Sequence, residues 1–180
     1  MYPFSPLSEY NADGMEWPIF HPVERFETRS FMQYLMNIED EKGRTTALEE
    51  YRVEKELAVD YYHKIQRWLR SNGANQAVIN WKNDIIELWE RGLLSAASLE
   101  NLYSLESLRS YMLDINDDVG GRSCTRETLK KADRVLFALE SGRDALSSLP
   151  AFSLCERKLG RSELIHKYSE LRKKVIEYQL

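Results

Sequence analysis

The chain has 180 residues, of which 43% are hydrophobic and 30% charged, and its net charge is −4. That balance supplies apolar surface for a core and excludes a disordered chain beyond the first twenty residues or so. No apolar run reaches the roughly 18–20 residues of a membrane span, and Met1–Pro6 lacks the basic start and apolar stretch of a secretory signal, so an intracellular, cytoplasmic protein without a membrane partner is expected.

Eight glycines and five prolines are few, and four of the prolines fall within the first 22 residues. Few breakers, with Leu, Glu, Arg and Ala outweighing Val, Ile and Thr, predict helix rather than sheet. The two cysteines, Cys124 and Cys155, suit a reducing compartment. Charge is unevenly spread. Residues 1–60 carry 6 Lys/Arg against 13 Asp/Glu, a balance of −7, and residues 61–120 carry 6 against 8, or −2. Residues 121–180 carry 13 against 8, or +5. An acidic front and a basic back can attract each other, a second copy or a polyanion.

Residues 1–21 read as an arm with Tyr2, Phe4, Tyr10, Trp17 and Phe20. Exposed aromatics need a cover, either the chain's own core or a partner that the arm enters. A first helix is predicted from Pro22 to about Asp40, with Phe31, Tyr34, Leu35 and Ile38 at helical spacing and Glu39–Gly43 as its end. A second opens on a capping box at Thr46–Glu49, buries Leu57, Tyr61, Ile65 and Trp68, and stops at Gly73. A third runs from the Asn75 cap to about Arg91, apolar over much of its circumference through Val78, Ile79, Trp81, Ile85, Ile86, Leu88 and Trp89, with Gly92 as terminator.

Ser95 or Ser98 opens a short helix, and Ser104 a further one to about Ile115. Asn116–Ser123 reads as a loop. A helix follows Thr125 with Leu129, Ala132, Leu136 and Leu139 on one face, and Gly142 and Pro150 interrupt the chain after it. The last helix follows Gly160–Ser162 and carries a seam of Leu164, Tyr168, Leu171, Val175 and Tyr178. The expected architecture is therefore all-α: a single-domain bundle of five to seven helices over 22–180, acidic in 22–118 and basic in 122–180, preceded by the 1–21 arm.

Chemistry-bearing patterns are sparse. There is no Gly-rich phosphate loop, nucleophile elbow or Cys-x-x-Cys pair, and His21, His63 and His166 are the three histidines. Asp60-x-x-His63 and Glu163-x-x-His166 have the spacing of ferritin-like di-iron ligands, with Glu27 and Asp133 upstream. At about 100° per residue, however, His63 falls roughly 170° from the Leu57/Tyr61/Trp68 face and His166 about 160° from the Leu164/Leu171/Val175 seam, where neither could reach a bundle interior. No metal or cofactor is expected.

Arg161-Ser162-Glu163-Leu164-Ile165-His166 resembles the Arg-x4-His motif of HEPN ribonucleases, small helical bundles that place this pair at a dimer cleft. The resemblance covers these six residues and implies His166 as acid or base and Arg161 as stabiliser of a strained phosphate. Ser162 stands where that family usually has Asn, Asp or His.

Arg126, Lys130 and Arg134 lie at i, i+4 and i+8, stacking three cations on one helix face. Arg122 precedes them, Arg157, Lys158 and Arg161 form a second cluster, and Arg172, Lys173 and Lys174 a third. Such a stripe suits a sugar–phosphate backbone, although Glu127, Asp133, Glu163, Glu170 and Glu177 interleave with it. With no assembled catalytic set, the reading is a non-enzymatic interaction protein, an adaptor, inhibitor or assembly factor that docks another protein and self-associates as a homo-oligomer. The arm and the charge polarity carry that reading. The alternatives are sequence-independent RNA or DNA binding through the basic third, and a HEPN-like ribonuclease.

Overall fold

The computed structural model describes residues 31–141 and 159–179. Six helices are present among them: α1 (Gln33–Asn37), α2 (Glu41–Ser71), α3 (Gln76–Gly92), α4 (Ala96–Gly120), α5 (Arg126–Glu140) and α6 (Arg161–Glu177). The one extended pairing among the described residues is an isolated parallel bridge between Cys124 and Gln179. The protein is all-α, and the chain forms two compact units, Met1–Ser104 and Leu105–Leu180, divided within α4. No helix is long and apolar enough to cross a membrane among the described residues.

In the first unit, α2 begins six residues earlier than its sequence suggests. Asp40 is the N-cap, its Oδ1 accepting from the Gly43 amide at 2.7 Å. The segment expected to end the first helix therefore starts the second. Gly43 is needed there because a Cβ would lie 2.8 Å from the Asp40 carboxylate and 3.1 Å from Ile38. Thr46 sits inside the helix and donates to the Lys42 carbonyl, so the expected Thr46–Glu49 capping box does not form.

Gly73 ends α2 as expected. It takes φ +68°, and the Ala74 amide reaches back to the Leu69 carbonyl at 3.0 Å. Two residues later Asn75 caps α3, its Oδ1 accepting from the Ala77 amide at 2.8 Å. This tight connection makes α2 and α3 an antiparallel hairpin, closed at its far end by Arg52, which donates to the Leu93 carbonyl at 3.0 Å. Gly92 closes α3 for a different reason from the one expected. A Cβ there would stand 2.4 Å from Leu102 Cδ2 and 2.8 Å from its Cβ, so glycine permits close approach rather than a left-handed cap.

The α2 face differs from the expected one. Tyr51, Lys55, Ala58, Val59, Tyr62, Ile65 and Leu69 are buried, whereas Leu57, Tyr61 and Trp68 are exposed. Both sets recur at helical spacing, and the packing selects the first.

Ser95 opens α4, its hydroxyl accepting from the Ser98 amide at 3.1 Å. The helix then runs unbroken through Ser104 and the predicted 116–123 loop as far as Gly120. Glu106 through Met112 are buried without a gap, polar Glu106, Ser107, Arg109 and Ser110 included. The left-handed residue of the following turn is Arg122, φ +50°, rather than either preceding glycine.

In the second unit α5 begins where expected, at a Thr125–Thr128 capping box. Its packed face holds Thr128, Lys131, Ala132, Val135, Ala138 and Leu139, while Leu129 and Leu136 are half-buried. On α6, Leu164, Tyr168 and Val175 are buried and Leu171 and Tyr178 half-buried, as the seam predicts.

Candidate functional site

Two lysines are fully buried in the first unit, and aromatic rings surround both. On α2, Tyr51, Lys55 and Tyr62 share one face by their spacing of four and seven residues. On α3, Trp81, Lys82 and Trp89 face them. Lys55 Nζ stands 4.1 Å from the Trp89 ring centroid and 5.3 Å from that of Tyr51. Lys82 Nζ stands 4.3 Å from Trp81 and 4.5 Å from Tyr62. Tyr62 meets Trp89 edge-on at 4.7 Å. The result is a column of cation, ring, ring and cation through the hairpin. Each cation–ring contact stabilises by about 0.5–2 kcal/mol when desolvated. Tyr51 extends it edge-on to Phe31 at 6.1 Å and to Tyr103 at 5.9 Å. Sequence reasoning missed both lysines because they read as polar interruptions; their phase with Tyr51 and Tyr62 was the available signal.

A second face of α2, bordering the buried one, carries an exposed apolar stripe. Val53 is 56% exposed, Leu57 66%, Tyr61 45% and Trp68 48%. At about 100° per residue these four lie within roughly 80° of the helix circumference. Glu49, Glu50, Glu56 and Asp60 flank the stripe toward the helix start, and Lys64, Arg67 and Arg70 toward its end, all exposed. Scattered exposed apolar residues are ordinary on a monomer; four on one strip of a single helix, with Lys64 between Tyr61 and Trp68, are not.

The sequence-nominated cations are dispersed in role. Arg126, Lys130 and Arg134 are exposed together on α5. Arg122 lies over the Tyr178 ring at 5.4 Å. Arg172 donates to Asp133, and Lys173 to Glu170 at 2.6 Å. The Lys173 hydrogen bond and charge hold the Glu170 carboxyl below its usual range. Lys174 is exposed near the end of α6. Lys131, next to Lys130 in sequence, is instead buried against Asp114 at 2.6 Å. Arg157, Lys158 and the arm residues Tyr2, Phe4, Tyr10, Trp17 and Phe20 lie outside the described residues.

Arg161 serves the end of α5. Its Nε donates to the Leu139 carbonyl at 2.7 Å and an Nη to the Glu140 carbonyl at 2.6 Å, satisfying two orphan acceptors of that helix. His166 is exposed one turn further along α6. A phosphate contact at Arg161 therefore competes with the helix cap. His63 is half-buried, not fully turned to solvent, and its Nε2 lies 3.0 Å from Glu90 Oε1. Among the described residues no group of three or more His, Cys, Asp or Glu side chains is placed to hold a metal ion.

Cys124 is a free, buried thiol, and burial, with the nearby Asp118 charge, pushes its pKa up. A thiol so held is a poor nucleophile.

Comparison with protein-family models, curated proteins and solved structures returns no match.

Proposed function

We propose that this chain is a non-enzymatic interaction protein, an adaptor, inhibitor or assembly factor, that docks a protein partner along α2. The observation that carries this reading is the Val53–Leu57–Tyr61–Trp68 row. These four stay exposed while Tyr51, Lys55, Ala58, Val59, Tyr62, Ile65 and Leu69 supply the buried face of the helix. Aromatic side chains standing in water on a rigid helix are the usual anchors of a helix-in-groove or helix-on-helix contact. The test is a photo-crosslinking residue placed at Leu57 or Tyr61 in the native cell, with Glu87 on α3 as control. Discrete protein adducts at the α2 positions, absent at Glu87, support the reading. Equal labelling at all three sites sinks it.

A second reading is sequence-independent polyanion binding, favoured by the joint exposure of Arg126, Lys130 and Arg134 on α5. Anisotropy titrations of single-stranded RNA and DNA at two salt concentrations test it. Replacing all three with Gln then weakens binding and flattens its salt slope, whereas no binding by the unaltered protein at low salt ends the idea.

A further inference from the structure

The exposed row on α2 lies between two charge blocks of opposite sign, and their order along the helix determines what can cover it. Glu49, Glu50, Glu56 and Asp60 accompany its first half; Lys64, Arg67 and Arg70 accompany its second. From Val53 to Trp68 the row is about 22 Å long at 1.5 Å per residue. Its midpoint falls between Asp60 and Tyr61. A second α2 laid antiparallel on the first, about a two-fold axis at that midpoint, therefore meets opposite charge along its whole length. A parallel copy meets like charge.

Resting on the protein-docking reading above, we propose that the occupant of the α2 stripe is a second copy of this chain, paired antiparallel through Val53, Leu57, Tyr61 and Trp68. In that pairing Val53 of each copy packs on Trp68 of the other, and the two Tyr61 rings meet near the axis. In an antiparallel pair the same flank of each helix faces its counterpart. Glu56 and Arg67 share one flank, so Glu56 approaches Arg67 of the second copy. Symmetry makes this contact twice. Lys64, on the row itself, lays its methylene stem along the apolar surface and carries its charge toward Asp60 of the other copy.

The four side chains offer on the order of 400 Å² of exposed surface per copy, which is within the range of functional patches on monomers. With the charged flanks added, the contact lies at the small end of specific interfaces. A reversible dimer rather than an obligate one is therefore expected, with a dissociation constant on the order of 10 µM.

Sedimentation velocity on the full chain, over about 1–200 µM, bounds that range on either side. The expected result is a concentration-dependent monomer–dimer equilibrium that high salt weakens. Trp68→Glu abolishes the dimer. Glu56→Lys weakens it about tenfold, because each substitution breaks two symmetric pairs. Glu56→Lys with Arg67→Glu restores it. Both charge positions are exposed, so these variants carry the test even if Trp68→Glu fails to fold by far-ultraviolet circular dichroism. A chain that stays monomeric throughout overturns the proposal, as does a dimer indifferent to Glu56→Lys. A monomer whose Leu57 crosslinker still captures a different protein overturns this inference and leaves the docking reading standing.

Discussion

The ammonium of Lys55 lies 4.1 Å from the centre of the Trp89 ring, with neither side chain reaching solvent. Trp89 is thus shared between the Lys55 cation and the ring of Tyr62. Trp89→Ala removes both contacts and leaves a cavity, and a loss of about 3–5 kcal/mol in urea unfolding is expected. Trp89→Phe keeps an aromatic face toward Lys55 and costs less, about 1–2 kcal/mol. Equal losses for the two variants would show that a phenyl ring at this position restores neither the packing nor the contact with Lys55.

Gly92 is set by Leu102. Gly92→Ala improves helix propensity but drives its Cβ into a buried leucine, with a contact of 2.4 Å to Cδ2 before any adjustment. Thermal unfolding should show a net loss of about 1–3 kcal/mol. A raised melting temperature would mean that Leu102 turns aside at little cost.

Asp114 and Lys131 form a largely buried pair at 2.6 Å. Burial raises the Asp114 pKa, and the Lys131 hydrogen bond and charge pull it back only in part. Since the folded state holds this proton more tightly than the unfolded chain, Asp114 favours folding below its unfolded pKa. That contribution is lost as pH rises through the raised value. Asp114→Asn removes this contribution, so its stability should fall more steeply than the unaltered protein's as pH drops through the carboxylate range. Chemical denaturation at a series of pH values measures the difference, and parallel profiles would refute it. At neutral pH Asp114→Leu should cost about 1–3 kcal/mol by leaving buried Lys131 without its acceptor, while Asp114→Leu with Lys131→Met should be near neutral.

Arg161 and His166 share a helix but not a task. Arg161→Ala frees the Leu139 and Glu140 carbonyls and should lower stability by about 1–2 kcal/mol. His166→Ala should leave the melting temperature unchanged. RNA cleavage lost in both variants, with unaltered melting in both, would instead favour the ribonuclease resemblance.

Helix content and several boundaries were legible from residue type alone: Gly73, Asn75 and Thr125 each act locally, through backbone geometry or a side chain a few residues away. The face of α2 was not. Tyr51, Ala58, Tyr62, Ile65 and Leu69 recur as regularly as Val53, Leu57, Tyr61 and Trp68, and periodicity cannot choose between two apolar rows on one helix. Lys55, in the middle of the buried row, made the choice look easier than it was. The exposed stripe is thus the row that looked most like core. Asn116–Gly120 misled for a related reason. Asp114, Asn116 and Asp118 take partners in the second unit — Lys131, Tyr168 and Thr128 — that hold as helix a stretch whose own preference is for a turn.

The four-residue link between α2 and α3 also bears on how the chain reaches its native state. With Gly73 reversing the backbone and Asn75 starting the next helix at once, the two helices can zip from the bend outward. Each further contact then closes only a small additional loop. In that order Lys82 reaches Tyr62 first, Tyr62 then meets Trp89, and Lys55 closes on Trp89 last, so the two lysines are desolvated one at a time, at either end of the sequence.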